Sequence, residues 1–201
     1  MLNLTKTSLR SAFAGLTLLR WAGDTLVGVN DMLRQFEYVG PAEIRDRVID
    51  SPGGALIVSH EALLTWLRDV GTDVSGESGW ATYVVDLNGQ LIVTPRRSEH
   101  VACARGAAVL AAGEVRFSSR GDVLEVTNNS TGYCPSEDCW ESVRSSLDRA
   151  GLKYPSEFTF LARFRLCPGC GERNLVKDDW YQCALCEAEL PLAWNFHRTN
   201  V

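Results

Sequence analysis

Apolar residues recur at helical spacing in the first part of the chain. The stretch 31–38 is amphipathic, with Met32, Leu33 and Phe36 among its polar residues. Pro41 stands where the first turn of a helix tolerates proline, so the sequence predicts a helix over 42–49. The first 50 residues are therefore predicted to be helical.

Beyond the break at Pro52-Gly53-Gly54, the pattern changes to short apolar runs typical of strands, separated by turns and by three helical stretches. Asn88-Gly89 lies between two of these runs and is a strong hairpin signal. The Ala-rich stretch 98–113 is predicted to be mostly helical. Strands are predicted over 55–59, 81–86, 90–94, 115–118, 123–127 and 158–164, and helices over 61–70 and 140–151.

These elements predict an α+β fold in three parts: a helical N-terminal region (1–50), a central mixed α/β sheet domain (51–160) and a C-terminal segment (161–201). The composition, with 45% apolar and 22% charged residues, is that of a globular protein. The net charge of -5 argues against a protein that binds nucleic acid by electrostatics. Because no apolar run approaches the about 20 residues of a membrane span, no membrane partner is expected.

Two Cys-x2-Cys pairs dominate the C-terminal segment: Cys167 with Cys170, and Cys183 with Cys186. Two residues between cysteines let a tight turn direct both sulfurs at one ion, and four thiolates in a tetrahedron favour zinc. The segment 166–190 therefore resembles a zinc ribbon. Such a site has no open position for water and is typical of a structural metal. We expect zinc to hold this segment together and the central domain to keep its own core.

The total number of cysteines, seven, is odd, which is unlike a disulfide framework and favours reduced thiols in the cytoplasm.

Three central segments carry a second resemblance: Ser98-Glu99-His100, the run Gly-Ala-Ala-Val-Leu-Ala-Ala-Gly-Glu over 106–114, and Asn-Ser-Thr-Gly-Tyr-Cys-Pro over 129–135. Over about 80–151 the chain resembles a domain of bacterial polymorphic-toxin proteins, found in related form in plant calmodulin-binding proteins with IQ motifs. That domain has a His-Ser near the start of a Gly-x-x-Val-x-x-Ala-Gly-Glu run and a later Ser-Gly-His-Tyr-x-Pro loop. Thr131 and Gly132 stand where the loop has Gly and His.

Because this chain lacks the loop histidine of that domain, His100, Ser130 and Tyr133 remain as the candidate catalytic cluster, if the protein is an enzyme. In that case Arg96, Arg97 and Arg105 could hold a phosphate. The alternative is that Ser130 and Tyr133 lock the loop by satisfying backbone groups, and that His100 is a hydrogen-bonding residue of a helix start or of the core.

The same region also resembles the layout of zinc-dependent nucleotide deaminases, with His-Val-Ala-Cys-Ala-Arg at a helix start and Cys134 and Cys139 further on. Those enzymes need a glutamate two positions after the first zinc ligand, because its carboxylate shuttles the proton of zinc-bound water. Cys103 is followed by Ala104 and Arg105 instead, so deaminase activity is not expected. A second metal site formed by His100 and the three remaining cysteines stays open.

The sequence thus predicts a zinc-binding cytoplasmic protein-interaction module, which the toxin-domain resemblance identifies as an immunity-type or accessory protein with a protein partner. The alternative is a deaminase-like or transferase-like enzyme acting on a nucleotide or protein substrate. One stretch is locally basic, and we expect it to face an acidic protein surface rather than nucleic acid. Its arginines are Arg96, Arg97, Arg105, Arg116 and Arg120.

Overall fold

A computed structural model gives the fold of residues 33–70 and 79–196. A five-stranded antiparallel sheet forms its centre, and a two-stranded antiparallel ribbon follows toward the C-terminus. The strands are β1 (Ala55–Ile57), β2 (Trp80–Val85), β3 (Leu91–Pro95), β4 (Ala111–Phe117), β5 (Val123–Val126), β6 (Arg163–Leu166) and β7 (Arg173–Val176). The helices are α1 (Ala42–Val48), α2 (His60–Asp69), α3 (His100–Cys103) and α4 (Trp140–Arg149), and a 3-10 turn covers Glu137–Cys139.

The central sheet has the strand order β1-β3-β2-β4-β5. Its middle strand β2 carries five consecutive buried residues, because helices and loops cover both faces of the sheet. The helix α4 packs across β2, β3 and β4 and buries Val143 and Leu147. The helix α2 begins where the Ser59 hydroxyl accepts a hydrogen bond from the Ala62 amide, and it buries Leu63 and Leu67.

Much of the predicted pattern is confirmed. The fold is mixed α and β, and β2 and β3 form the hairpin that Asn88-Gly89 predicts. Helices also form over most of 42–49, 61–70 and 140–151. Residues 1–32, most of the predicted helical N-terminal region, lie outside the described part of the chain. Within that part, no helix is long and apolar enough to cross a membrane.

The prediction of a mostly helical stretch over 98–113 is wrong. Only the four residues of α3 are helical, and the alanine run enters β4, the strand beside β2. Ala111 and Ala112 are fully buried opposite Val85 and Val84 of β2. A side chain at Gly113 would place its Cβ 1.9 Å from the Thr127 carbonyl oxygen. These small residues allow neighbouring strands and loops to approach closely, and that packing outweighs the helix propensity of alanine.

Two further predictions fail where tertiary contacts determine the backbone. The described part of the stretch 31–38 is extended, and Phe36 exchanges two backbone hydrogen bonds with Val109, of 2.8 and 3.0 Å. The predicted strand 158–164 becomes regular only at Arg163. Before it, residues 159–162 run beside the end of β5. There the Asn128 side chain accepts a hydrogen bond from the Ala162 amide and donates one to the Ala162 carbonyl oxygen.

The ribbon β6–β7 is attached to the central sheet through a C-terminal strap, residues 190–196. The Trp194 indole donates a 2.8 Å hydrogen bond to the Cys134 carbonyl oxygen and packs edge-on against Phe36. The Asn195 side chain pairs with the amide and carbonyl of Leu166, at 2.8 Å each. The strap therefore contacts both the ribbon and the core of the sheet.

Candidate metal centre

The four cysteines of the ribbon segment converge on one point. Their sulfur atoms all lie within 4.8 Å of one another. The Sγ atoms of Cys167 and Cys186 are 3.5 Å apart, and those of Cys170 and Cys183 are 3.6 Å apart. A tetrahedron with zinc–sulfur bonds of about 2.3 Å has sulfur–sulfur edges of about 3.8 Å. The predicted cluster is thus confirmed as one that could hold a metal ion.

The two Cys-x2-Cys loops have the same internal geometry. In each, the first cysteine sulfur receives a 3.4 Å hydrogen bond from the amide two residues later, that of Gly169 or Leu185. The residue after the second cysteine adopts a left-handed conformation, with φ of 75° at Gly171 and 60° at Glu187. Glycine adopts this conformation freely, whereas Glu187 does so with some strain. Local sequence therefore shapes each half of the site.

Asn174 on β7 joins the two halves, and the sequence analysis did not identify it. Its side-chain nitrogen donates to the Glu172 carbonyl oxygen at 3.0 Å and to the Cys183 sulfur at 3.6 Å. Its side-chain oxygen accepts from the Ala184 amide at 2.9 Å. Contacts of this kind orient metal ligands. The sequence signal was weak: an asparagine in the short run Arg173-Asn174-Leu175-Val176 between the cysteine pairs.

Hydrogen bonds shift the pKa values of the cysteine thiols in different directions. A backbone hydrogen bond from Cys186, with others from Leu185 and the Asn174 side chain, lowers the pKa of Cys183 to about 6 against the effect of desolvation. For Cys170, a backbone hydrogen bond from Glu172 favours the thiolate, but interactions with Cys186 and the other thiols raise the pKa to about 12. Four neighbouring thiolates repel one another, so their joint ionisation requires a bound cation.

The candidate catalytic residues form hydrogen bonds with the backbone. The Tyr133 hydroxyl donates to the Ala107 carbonyl oxygen at 2.7 Å, and burial raises its pKa. A ring nitrogen of His100 lies 3.0 Å from the Gly113 carbonyl oxygen, and burial lowers the pKa of this histidine. The Ser130 hydroxyl is buried and has no hydrogen-bond partner among residues 33–70 and 79–196. Within the described ranges, no hydrogen bond joins these three side chains.

The second metal site left open by the sequence is not assembled. The Cys103 sulfur points to the Ile92 carbonyl oxygen at 3.6 Å, and the Cys134 sulfur points to that of Thr131 at 3.3 Å. Burial raises the pKa of both thiols to about 12, which keeps them protonated. Over residues 33–70 and 79–196, the only cluster of three or more potential ligands is the one in the ribbon segment.

The locally basic stretch is largely paired within the chain. Arg96 pairs with Glu114 at 3.2 Å, Arg116 pairs with Glu125, and Arg120 lies 3.8 Å from Asp122. The Arg105 guanidinium donates to the Pro52 carbonyl oxygen. That the five arginines face an acidic partner stays a prediction.

We expect Tyr133→Phe to lower the free energy of unfolding by about 1 kcal/mol, because the hydrogen bond to the Ala107 carbonyl is lost from a largely buried position. Urea denaturation followed by far-UV circular dichroism measures the change. The matched control is Tyr154→Phe, which removes an exposed hydrogen bond to Asp148 and should change stability by less than about 0.5 kcal/mol. Equal stability of the Tyr133 variant and the native chain would contradict the loop-lock role.

Comparison with known proteins identifies no relative. No protein-family model matches the chain, and neither the curated proteins nor the solved structures contain a match. The cysteine cluster and the surfaces around it therefore provide the basis for a functional proposal.

Proposed function

We propose that the protein is a zinc-binding protein-interaction module that acts in the cytoplasm, as an immunity-type or accessory component of a bacterial toxin system. The convergence of four cysteine sulfurs within 4.8 Å carries the zinc-binding part of this proposal. Four sulfurs fill the tetrahedral coordination of zinc, so no position is left for a reacting water molecule. The ion then stabilises a short segment that could not bury a sufficient core of its own.

The surface of the ribbon segment supports a binding role. Trp180 and Leu185 are 66% and 70% exposed there, and Leu192 in the adjoining strap is 75% exposed. Leu185 lies at the tip of the second cysteine loop, so the ion would fix its position. The hydroxyl of Tyr133 and the ring of His100 are engaged with backbone carbonyls, which favours the binding module over the enzymatic alternative.

The cytoplasmic location is supported by the thiols. All seven cysteines are free, including Cys134 and Cys139, which lie close together in the sequence. Free thiols and a thiolate metal site both persist in a reducing compartment. The toxin-system assignment draws on the sequence resemblance over 80–151 alone.

Co-expression with the product of the neighbouring gene tests the proposal. We expect a complex that elutes as one species in size-exclusion chromatography when zinc is bound. Cys183→Ser should weaken that complex, whereas Cys103→Ala, which alters a buried thiol outside the cluster, should leave it intact. Conversion of cytidine or adenosine by the purified protein, lost in His100→Ala, would contradict the proposal and favour the enzyme.

A further inference from the structure

A tight turn at the end of β7 presents Trp180 to solvent. The turn spans residues 177–180, and the Trp180 amide donates to the Lys177 carbonyl oxygen at 2.9 Å. Its central residues, Asp178 and Asp179, have left-handed backbone conformations, with φ of 50° and 54°. Aspartate tolerates this conformation better than most residues because its short side chain can form local hydrogen bonds. The turn thus places two carboxylates directly before a tryptophan that is 66% exposed.

The residues after the turn separate into an inward and an outward face. The Leu190 amide donates to the Tyr181 carbonyl oxygen at 2.9 Å, and both side chains pack with the buried cysteines of the ribbon segment. Gln182 and Glu189 form an antiparallel bridge, so their side chains share a face. Because side chains alternate along an extended chain, Trp180 lies on the outward face with Gln182 and Glu189. All three residues are exposed.

The surroundings of this face are acidic. Residues 166–190 have a net charge of -3, from Glu172, Asp178, Asp179, Glu187 and Glu189 against Arg173 and Lys177. Asp179 is paired with Arg163, whereas Asp178 and Glu189 form no ion pair within residues 33–70 and 79–196. A zinc ion bound by four thiolates keeps a net charge of about -2, which adds to that of the segment. The zinc-loaded ribbon segment is therefore strongly negative.

This charge determines which kind of partner the segment can attract. Nucleic acid and an anionic lipid surface would be repelled, and two copies of the segment would repel each other. A cationic protein segment would be attracted and oriented, since opposite charges across an interface favour association. The indole ring adds a specific contact, because the face of a tryptophan attracts ammonium and guanidinium groups. An exposed tryptophan beside carboxylates thus fits lysine and arginine side chains.

We propose that the Trp180 face, formed by Asp178, Trp180, Gln182 and Glu189, binds a basic segment of the partner protein. One lysine or arginine side chain stacks on the indole ring, and neighbouring cations lie beside the carboxylates of Asp178 and Glu189. These contacts stay solvated, so each contributes modestly and the binding depends on salt. The inference rests on the proposed protein-interaction function and names the surface and chemistry of the contact.

Nuclear magnetic resonance of the full, zinc-loaded chain tests this inference with two synthetic peptides. They are acetyl-Gly-Lys-Arg-Leu-Lys-Gly-amide and the same peptide with glutamine in place of each cationic residue. We expect the cationic peptide to shift the indole N–H signal of Trp180 and the backbone amide signals of Gln182 and Glu189. The glutamine peptide should bind about tenfold more weakly, because the charge attraction is lost. Raising sodium chloride from about 0.05 M to about 0.5 M should weaken binding of the cationic peptide to a similar extent.

Substitutions on the exposed face separate the contribution of the ring from that of charge. Trp180→Leu keeps an exposed apolar side chain but removes the ring, so it should weaken binding of the cationic peptide about threefold to fivefold. Trp180→Phe should recover part of this loss, because phenylalanine keeps an aromatic face. Glu189→Gln should weaken binding about twofold. Glu61→Gln is the control with the same charge change, since Glu61 is an exposed acid on α2 outside the ribbon, and it should leave the affinity nearly unchanged.

The inference would be overturned by equal binding of the two peptides, by signal changes centred on other surfaces, or by full affinity in Trp180→Leu. Self-association of the native chain that is lost in Trp180→Leu would assign the face to a second copy instead. If the co-expressed complex forms and Trp180→Leu leaves its affinity unchanged, the inference fails while the proposed function stands. If no complex forms, the proposed function fails, and the peptide measurements alone decide the chemistry of the face.

Discussion

Purified protein is expected to contain one zinc ion per chain, and Cys183→Ser is expected to reduce the metal content to near zero. The four sulfurs form a closed set, so the loss of one leaves an incomplete coordination sphere. Cys183 is the buried sulfur to which both the Leu185 amide and the Asn174 side chain donate. Replacing it therefore removes a ligand and two of the contacts that order the second loop. Elemental analysis measures the effect.

Cys103→Ala is the matched control, because Cys103 is a buried free thiol outside the cluster. It should keep one ion per chain. Cobalt added to the metal-free protein should give the absorption of a tetrahedral thiolate complex in the native chain and in the control, but not in Cys183→Ser. A native chain without metal, or full metal content in Cys183→Ser, would contradict the assignment.

The cysteine loops could be predicted from sequence because their geometry is local. Two residues between the cysteines of each pair, together with Gly171 after the first pair, already indicate where the sulfurs point. The hairpin at Asn88-Gly89 is predictable for the same reason, since its turn depends on neighbouring residues alone. Structural features that depend on a few adjacent residues can thus be predicted from the sequence.

Features that depend on distant residues were missed. The alanine run near Ala111 favours a helix by propensity, but pairing with β2 makes it a strand. Asn174 became recognisable only once its strand lay between the cysteine loops. Arg173 belongs to no motif, and its hydrogen bond to the Val39 carbonyl oxygen joins residues that are 134 positions apart in the sequence.

Arg165 is the residue through which the ribbon, the strap and the central domain are connected. It is 3% exposed, and its guanidinium donates to the carbonyl oxygens of Pro191 and Leu192 in the strap. It also pairs with Glu137 at 2.9 Å, in the turn that leads into α4. Removing one partner of a buried ion pair leaves the other charge and several carbonyls without compensation.

Arg165→Met is therefore expected to lower the free energy of unfolding by about 3 kcal/mol or more. Arg163→Met is the control: its ion pair with Asp179 is exposed, so the change should be below about 1 kcal/mol. Urea denaturation followed by far-UV circular dichroism measures both. A loss below about 1 kcal/mol in Arg165→Met would show that the arginine contributes little to the connection.

Tryptophan fluorescence of the Arg165→Met variant should report which part is released. Trp180 is already 66% exposed in the folded chain, so it contributes little to a change in fluorescence. Trp194 packs against Phe36, and release of the strap would transfer its indole to water. We expect a red shift at urea concentrations that leave the far-UV signal unchanged, and no such shift in a double variant with Trp194→Phe. Simultaneous loss of both signals would mean that strap, ribbon and sheet unfold as one unit.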